Sequence, residues 1–297
     1  MKGGLSGADI ARRALLISGL GLASGVRAAN ADGELQARIE ALQQRSGGRI
    51  GLFALNSRSR AQIAFQADQR FAFCSTFKLL LAAAVLARVD AGQLNLDKPI
   101  RYSSNDMLAH APITSGRLVN GRGVMSVGEL CEAIVTVSDN PAANLLFPLV
   151  GGPPGLTRFL RELGDPHTRS DRIEPALNSN QAGDERDTTT PAAFVTSMEA
   201  LLLGNRLSED ALQLLVGWMV GSTTGLQRLR AGLPEGWRAG DKTGTGAGGA
   251  VNDVAIAWKP EQAPLLMAVF MSGSAQSVDE LNTIHAELAG LVVKAIG

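Results

Sequence analysis

Histidine and cysteine are scarce in this 297-residue chain, and that scarcity removes much chemistry at the outset. Three histidines, His110, His167 and His285, and two cysteines, Cys74 and Cys131, are scattered with no zinc-ligand spacing, so the sequence implies no metal and no cofactor. A serine enzyme that relies on histidine is hard to build from so few. An excess of one charge is also missing: 28 basic residues stand against 28 acidic ones with no basic cluster, which leaves nucleic acid no electrostatic footprint. Repeats, low-complexity tracts and flexible linkers are absent. With 45% hydrophobic and 19% charged residues, the composition is that of an ordinary globular protein, long enough for one large domain or two interlocked ones.

What is present centres on Phe73-Cys74-Ser75-Thr76-Phe77-Lys78. These residues lead into residues 79–87, a run of strong helix formers that is apolar on every face. At this length it predicts a buried core helix and not a membrane span. Ser75 falls at the predicted helix start, where unpaired first-turn N–H groups can face a developing oxyanion. Lys78 lies one turn further on the same face, so its amine can approach the Ser75 hydroxyl. Burial in so apolar a helix lowers a lysine pKa, and a neutral amine beside a serine supplies a nucleophile with its own base. Taken alone, the pair is equally a serine N-cap followed by a lysine that snorkels to solvent.

Before this stretch, paired Arg12 and Arg13 precede an apolar run over 14–22, and Ala28-Ala29-Asn30-Ala31 offers a small-residue cleavage site. Residues 1–31 therefore read as a signal peptide, Tat-like or an ordinary Sec signal, that exports the chain to the periplasm or medium. Its removal takes Lys2, Arg12, Arg13 and Arg27 but only Asp9, leaving 24 basic against 27 acidic residues and a net charge of −3. Helical spacing predicts a helix over 34–44, and strands are expected over 50–55 and 62–65, then over 237–243, 250–258 and 265–271. An amphipathic helix over 278–296 closes the chain. Strands at both ends must pair to make a useful sheet, so the mainly helical middle is an insertion with a cleft at the join. The expected division is one domain over 32–297, with an α/β lobe over about 32–74 and 231–297 and a helical lobe over about 75–230.

Three further clusters follow the first. Ser138-Asp139-Asn140-Pro141 opens a second helix, Glu174-Pro175-Ala176-Leu177-Asn178 sits in a long polar segment, and Lys242-Thr243-Gly244-Thr245 ends a strand before a glycine-rich turn. Each is ordinary alone: a capped helix start, a surface loop, an edge strand. Together, Ser-x-x-Lys, Ser-Asp-Asn and Lys-Thr-Gly in that order form the motif set of class A β-lactamases and penicillin-binding proteins. With the Glu174 loop added, the sequence resembles a class A serine β-lactamase over essentially all of the mature chain. The resemblance implies a two-lobed α/β fold, with a five-stranded antiparallel sheet flanked by helices and an inserted all-helical lobe.

It also implies roles. Ser75 would attack the lactam carbonyl, with its own N–H and that of Thr245 as the oxyanion hole. Lys78 and Ser138 would relay the proton to the leaving nitrogen. Lys242 would keep the field positive, while Thr243, Gly244 and Thr245 hold the substrate carboxylate and Asn140 the amide side chain. Glu174 and Asn178 would hold and activate the deacylating water, on a loop pinned by Arg172 and Asp187 with a cis Glu174–Pro175 peptide. Arg228 matches the position some members use in place of an arginine after the glycine-rich turn, where this chain has Val251 and Asn252. His110 takes the cleft-rim place of the family's usual aromatic. The implied partner is a small β-lactam, with no nucleic acid, no stable membrane association and a monomeric state. Two rivals share part of the motif set: a D-alanyl-D-alanine peptidase, which lacks the Glu174–Asn178 loop, and a non-hydrolytic penicillin sensor, which needs an anchor or partner domain.

In the resemblance, Cys74 corresponds to half of a carbapenemase disulfide whose partner position here is Gly246. Cys131 corresponds to half of another, whose partner position is Ala82. Both thiols are therefore expected buried and free. Thiol titration of the denatured, unreduced chain should count two reactive groups, and a count of zero would mean that Cys74 and Cys131 are bridged to each other.

Overall fold

A computed structural model describes residues 33–297, so the export segment expected over 1–31 lies outside the described residues. Helix α1 (Gly33–Ser46) buries Ile39 and Leu42 and stops at Gly47, whose φ of +65° suits glycine. A hairpin follows: β1 (Arg49–Asn56), a turn and β2 (Gln62–Phe65). The Asn56 side chain forms that turn by accepting from the Arg58 and Ser59 amides. Next come β3 (Phe71–Ala72), α2 (Phe77–Asp90), β4 (Pro99–Ser103), β5 (Arg122–Ser126), α3 (Val127–Thr136), α4 (Asn140–Leu146) and α5 (Gly152–Glu162). The chain continues through β6 (Thr188–Thr189), α6 (Pro191–Leu202), α7 (Glu209–Val220), β7 (Arg238–Thr245), β8 (Val251–Trp258), β9 (Leu265–Ser272) and α8 (Val278–Ile296). Among the described residues no helix is long and apolar enough to cross a membrane.

The two ends of the chain do pair. The five-stranded antiparallel sheet runs β2-β1-β9-β8-β7, with β1 against β9 from Arg49↔Ser272 to Asn56↔Leu265. Every residue of β8 and β9 is buried, because both faces of the sheet are covered. The two-residue period of β9 divides its side chains between two cores. Leu265, Met267, Val269 and Met271 join Ile39, Leu288 and Val292 under the terminal helices, whereas Leu266, Ala268 and Phe270 join Phe71, Phe194 and the helical block. At roughly 1.5–3 kcal/mol per fully buried large apolar side chain, this double-sided strand is a main source of stability.

Within the helical block, α2 is buried from Phe77 to Leu86, and Lys78 is the one charged residue among them. Two short strand pairs have no clear alternating pattern in sequence: β4 with β5 inside this block, and β3 with β6 where the block joins the sheet lobe. The predicted helix start also needs adjustment. Ser75 lies in a single 3₁₀ turn, Cys74–Thr76, and α2 begins at Phe77, because Cys74 takes a left-handed φ of +48° that an α-helix cannot contain. Cys74 and Cys131 are both buried and unpaired, and burial, with the Glu174 charge adding to it, pushes the Cys74 thiol up to about 12.

His285 of α8 is fully buried; its Nδ1 lies 2.8 Å from Leu281 O and its Nε2 has no partner. Burial, reinforced by the Arg228 charge, pushes its pKa down to about 3. Its free-chain value is about 6.5, so between that pH and about 3 the unfolded chain takes a proton that the folded chain refuses. Stability is therefore lost as pH falls through this window, by at most about 1.4 kcal/mol per unit from this one group. Urea unfolding at pH 4–6.5 should show a shallower acid slope for His285→Gln than for wild type, and parallel slopes would disprove the assignment.

Candidate active site

Three segments bring the nucleophile turn into position. Asn252 of β8 donates from Nδ2 to Ala72 O (2.9 Å) and Phe73 O (3.1 Å), tying the chain just ahead of Ser75 to the sheet. Thr76 Oγ1 closes the turn on Phe73 O at 2.7 Å. On the other side lies the edge strand β7, at Gly244. A Cβ there would stand 2.8 Å from Phe73 O and 3.1 Å from Ser75 N, so only glycine lets the strand approach the turn this closely.

Lys78 occupies the centre. Its fully buried Nζ lies 3.1 Å from Ser75 Oγ, 2.8 Å from Ser138 O, 3.3 Å from Ser138 Oγ and 3.0 Å from Glu174 Oε1, and it also donates to Asn140 Oδ1. Burial pushes the Lys78 pKa down, and the Glu174 carboxylate opposes that shift. Lys242 completes a second approach to Ser138, donating to its Oγ at 3.1 Å and to Thr243 O at 2.8 Å. Burial first, and then repulsion from Lys78, lower its pKa to about 7, with Asp241 and Asp253 pulling the other way. Ser138 thus has its hydroxyl between two lysines, on a backbone held at φ +62°. Asp139 caps α4 behind it by accepting from Ala142 N, and also takes Ile113 N and Thr114 N.

The loop over 171–187 delivers a carboxylate to the opposite side of Ser75. Glu174 Oε1 is 3.5 Å from Ser75 Oγ, and Oε2 accepts from Asn178 Nδ2 at 2.6 Å. Asn144 of α4 holds the Glu174 backbone from both ends, donating to its O and accepting from its N. The Glu174–Pro175 peptide is cis. At the loop base Arg172 Nε donates to Asp187, whose carboxylate also accepts from the Asp171 and Arg172 amides.

The remaining expected residues surround a cavity of ≈ 250 Å³. Arg228 is only 5% exposed, so it is not a solvated surface charge. Its guanidinium donates to Thr245 Oγ1 (2.8 Å), Gly244 O (3.1 Å), Asn252 O (2.6 Å) and Asn282 Oδ1 (2.8 Å). Thr243 bonds Thr224, and Asn140 spans Lys78 and Ala109 O. His110 is exposed on the rim, with Nε2 2.8 Å from Val137 O. Four supporting residues escape sequence reading: Asn144, Thr224, Asn252 and Asn282. Two left a trace, since Asn144 stands one helical turn after Asn140 and Asn252 interrupts an otherwise largely apolar strand. Among the described residues, no cluster of His, Cys, Asp or Glu could hold a metal ion. The arrangement suits nucleophilic attack by a serine with two bases in reach, then attack by water from the carboxylate side.

Comparison with known proteins agrees with this geometry. A family model described as "Beta-lactamase enzyme family" matches residues 34–296. The chain is 44% identical over 260 residues to Beta-lactamase FAR-1 of Nocardia farcinica, covering 88% of this chain and 82% of that one. It is 43% identical over 257 residues to the carbapenem-hydrolyzing beta-lactamase KPC of Klebsiella oxytoca, covering 86% and 87%. An ancestral (GNCA) beta-lactamase class A structure superposes with a TM-score of 0.85 at 49% identity, covering 88% of this chain and 100% of that one.

The Arg172–Asp187 contact should hold the loop independently of the rest of the fold. Asp187→Ala removes a fully buried acceptor of three hydrogen bonds. Local opening should become easier by about 1.5–3 kcal/mol, the usual worth of a hydrogen bond to a charged group. Amide exchange across residues 171–187 reads this directly, and exchange at wild-type rates there would refute the pin.

Proposed function

This chain belongs to the class A β-lactamase family and hydrolyses β-lactams; from that premise we propose that Ser75 is its nucleophile and Glu174 its deacylation base. Ser75 Oγ attacks the lactam carbonyl and its proton passes to one of the two bases beside it, Lys78 Nζ or the Glu174 carboxylate. The carbonyl oxygen takes up charge against the N–H groups of Ser75 and Thr245; one such donor is worth about 2.7–4 kcal/mol in the transition state. As the C–N bond breaks, Ser138 passes a proton from the Lys78 side to the leaving nitrogen, leaving an ester on Ser75. Lys242, Thr243, Thr245 and Arg228 receive the substrate carboxylate, while Asn140 faces the amide side chain.

Hydrolysis of the ester requires water on the loop side. Glu174, oriented by Asn178, takes a proton from that water as it attacks, and Ser75 leaves reprotonated. The observation that carries this reading is the approach of Lys78 Nζ and the Glu174 carboxylate to one serine hydroxyl, at 3.1 and 3.5 Å. A peptidase or a sensor needs only the lysine. The same reading makes the protein a monomer, exported by residues 1–31 on the strength of their sequence alone.

Glu174→Gln separates the two steps. Glutamine keeps an acceptor for Asn178 but removes the base, and losing the carboxylate removes a charge that holds the Lys78 pKa up. Lys78 is then more often neutral, so acylation continues while deacylation slows by roughly 10²–10⁴-fold. Intact-mass spectrometry after mixing with a penicillin should show a persistent adduct of the whole substrate that is absent in Ser75→Ala. Wild-type turnover of a chromogenic cephalosporin by Glu174→Gln would overturn the assignment.

A further inference from the structure

Beside Asn178, which lines the cavity next to Ser75, the Glu174 loop meets the turn that follows β7 along a seam. At this seam the two backbones touch. A Cβ on Gly246 would lie 2.8 Å from Asn178 O, and Ala247 N donates to that same oxygen at 3.2 Å. Two residues beyond Asn178, the half-buried Asn180 crosses the seam with its side chain. Its Nδ2 donates to Gly248 O at 3.0 Å and to Ser272 Oγ at 2.9 Å, and its Oδ1 lies 3.1 Å from the same hydroxyl. Gly248 O also accepts from Gly273 N at 2.8 Å, so the turn that Asn180 grips is anchored to the end of β9.

We propose that Asn180 is a specificity-determining residue: a latch that holds this seam shut and so favours β-lactams with compact acyl side chains. The proposal rests on the assignment of Ser75 as the acylated residue. With the lactam carbonyl at Ser75 and the substrate carboxylate at Thr243 and Thr245, the acyl side chain extends toward Asn140 and Asn178, and the seam lies directly behind Asn178. Asn178 has no side-chain bond across to β7 or its turn; its side chain is spent on Glu174 and on Pro175 O. Across the seam, the bonds from Asn180 are those that a single substitution can remove without touching a group in the proposed chemistry. A branched side chain can enter only by moving the loop or the turn, and Asn180 opposes both.

The test uses two penicillins that differ only in the acyl group, phenylacetyl against 2,6-dimethoxybenzoyl. The quantity is the ratio of kcat/KM for the bulky to that for the compact substrate, which reports steps up to acylation. Asn180→Ala should raise this ratio about threefold to tenfold, the effect expected from loss of one or two neutral hydrogen bonds. Ser272→Ala, which leaves the bond to Gly248 O, should raise it less. Asn180→Asp keeps the size but sets a carboxylate against Gly248 O, and should raise it as alanine does. A general loss of structure lowers kcat/KM for both substrates together, so an unchanged or falling ratio in the folded variants overturns the latch. If Asn180→Ala does not fold, the other two variants decide by the same ratio. Failure of the underlying assignment looks different: Glu174→Gln would then trap no Ser75-dependent adduct with either penicillin.

Discussion

A cation without water is the constraint on which this structure depends. Lys78 sits in the first turn of a helix that is buried for its next eight residues, and an isolated ammonium there would be costly. Its partners come from the nucleophile turn, the start of α4 and the loop over 171–187. Ser75 is one turn away, but Ser138, Asn140 and Glu174 are far off in sequence and bring their oxygens only when the helical block and the loop are docked. The price is a small net worth for stability, since the desolvation of a buried pair offsets most of its attraction. What the arrangement delivers instead is an amine with a lowered pKa beside a serine hydroxyl.

The backbone around this cation is held in conformations that residues other than glycine avoid. Cys74, Ser138, His110 and Asp187 all have positive φ, and all four lie in or beside the segments that form the site. Such conformations cost of order 1–3 kcal/mol each and persist where the surroundings over-determine them. Here the restraints are polar: Asn252 on Ala72 and Phe73, Asp139 on the loop at Ile113 and Thr114, and Asn144 on Glu174. Most of these side chains need not touch substrate. They hold in place the groups around Ser75, where a misplacement of about 1 Å can cost about 100-fold in rate.

Charge is arranged in depth behind β7. Lys242 and Arg228 are both buried, with Asp241 and Asp253 beneath them in the sheet. Burial raises both carboxyl pKa values; repulsion from Asp241 raises Asp253 further, while Arg230 pulls Asp241 back down. Two basic side chains thus stand against the edge of the cleft at Thr243 and Thr245, Lys242 on Thr243 O and Arg228 on Thr245 Oγ1, an arrangement that suits an anionic substrate group.

Much of this could be read from the residues themselves. Apolar periodicity located both terminal helices, and apolar runs between turn residues located all five strands of the main sheet, to within a residue or two, because those elements bury side chains at regular intervals or, in β8 and β9, throughout. The motif spacings singled out Ser75, Lys78, Ser138, Glu174 and Lys242, which the structure brings together, because groups in fixed local geometry leave short, ordered patterns. The short strand pairs, the 3₁₀ turn at Ser75 and the burial of Arg228 left no such pattern. Each depends on contacts between segments distant in the chain: Thr188 and Thr189 on Phe71 and Ala72, Asn252 on Phe73, and Asn282 on Arg228. The resemblance singles out Arg228, but nothing in Arg228-Leu229-Arg230 itself shows that the sheet and α8 close over it. Local sequence thus determined which elements form and which polar groups stand in short motifs; the environment of each charge was decided only when the sheet, the helical block and the loop over 171–187 packed together.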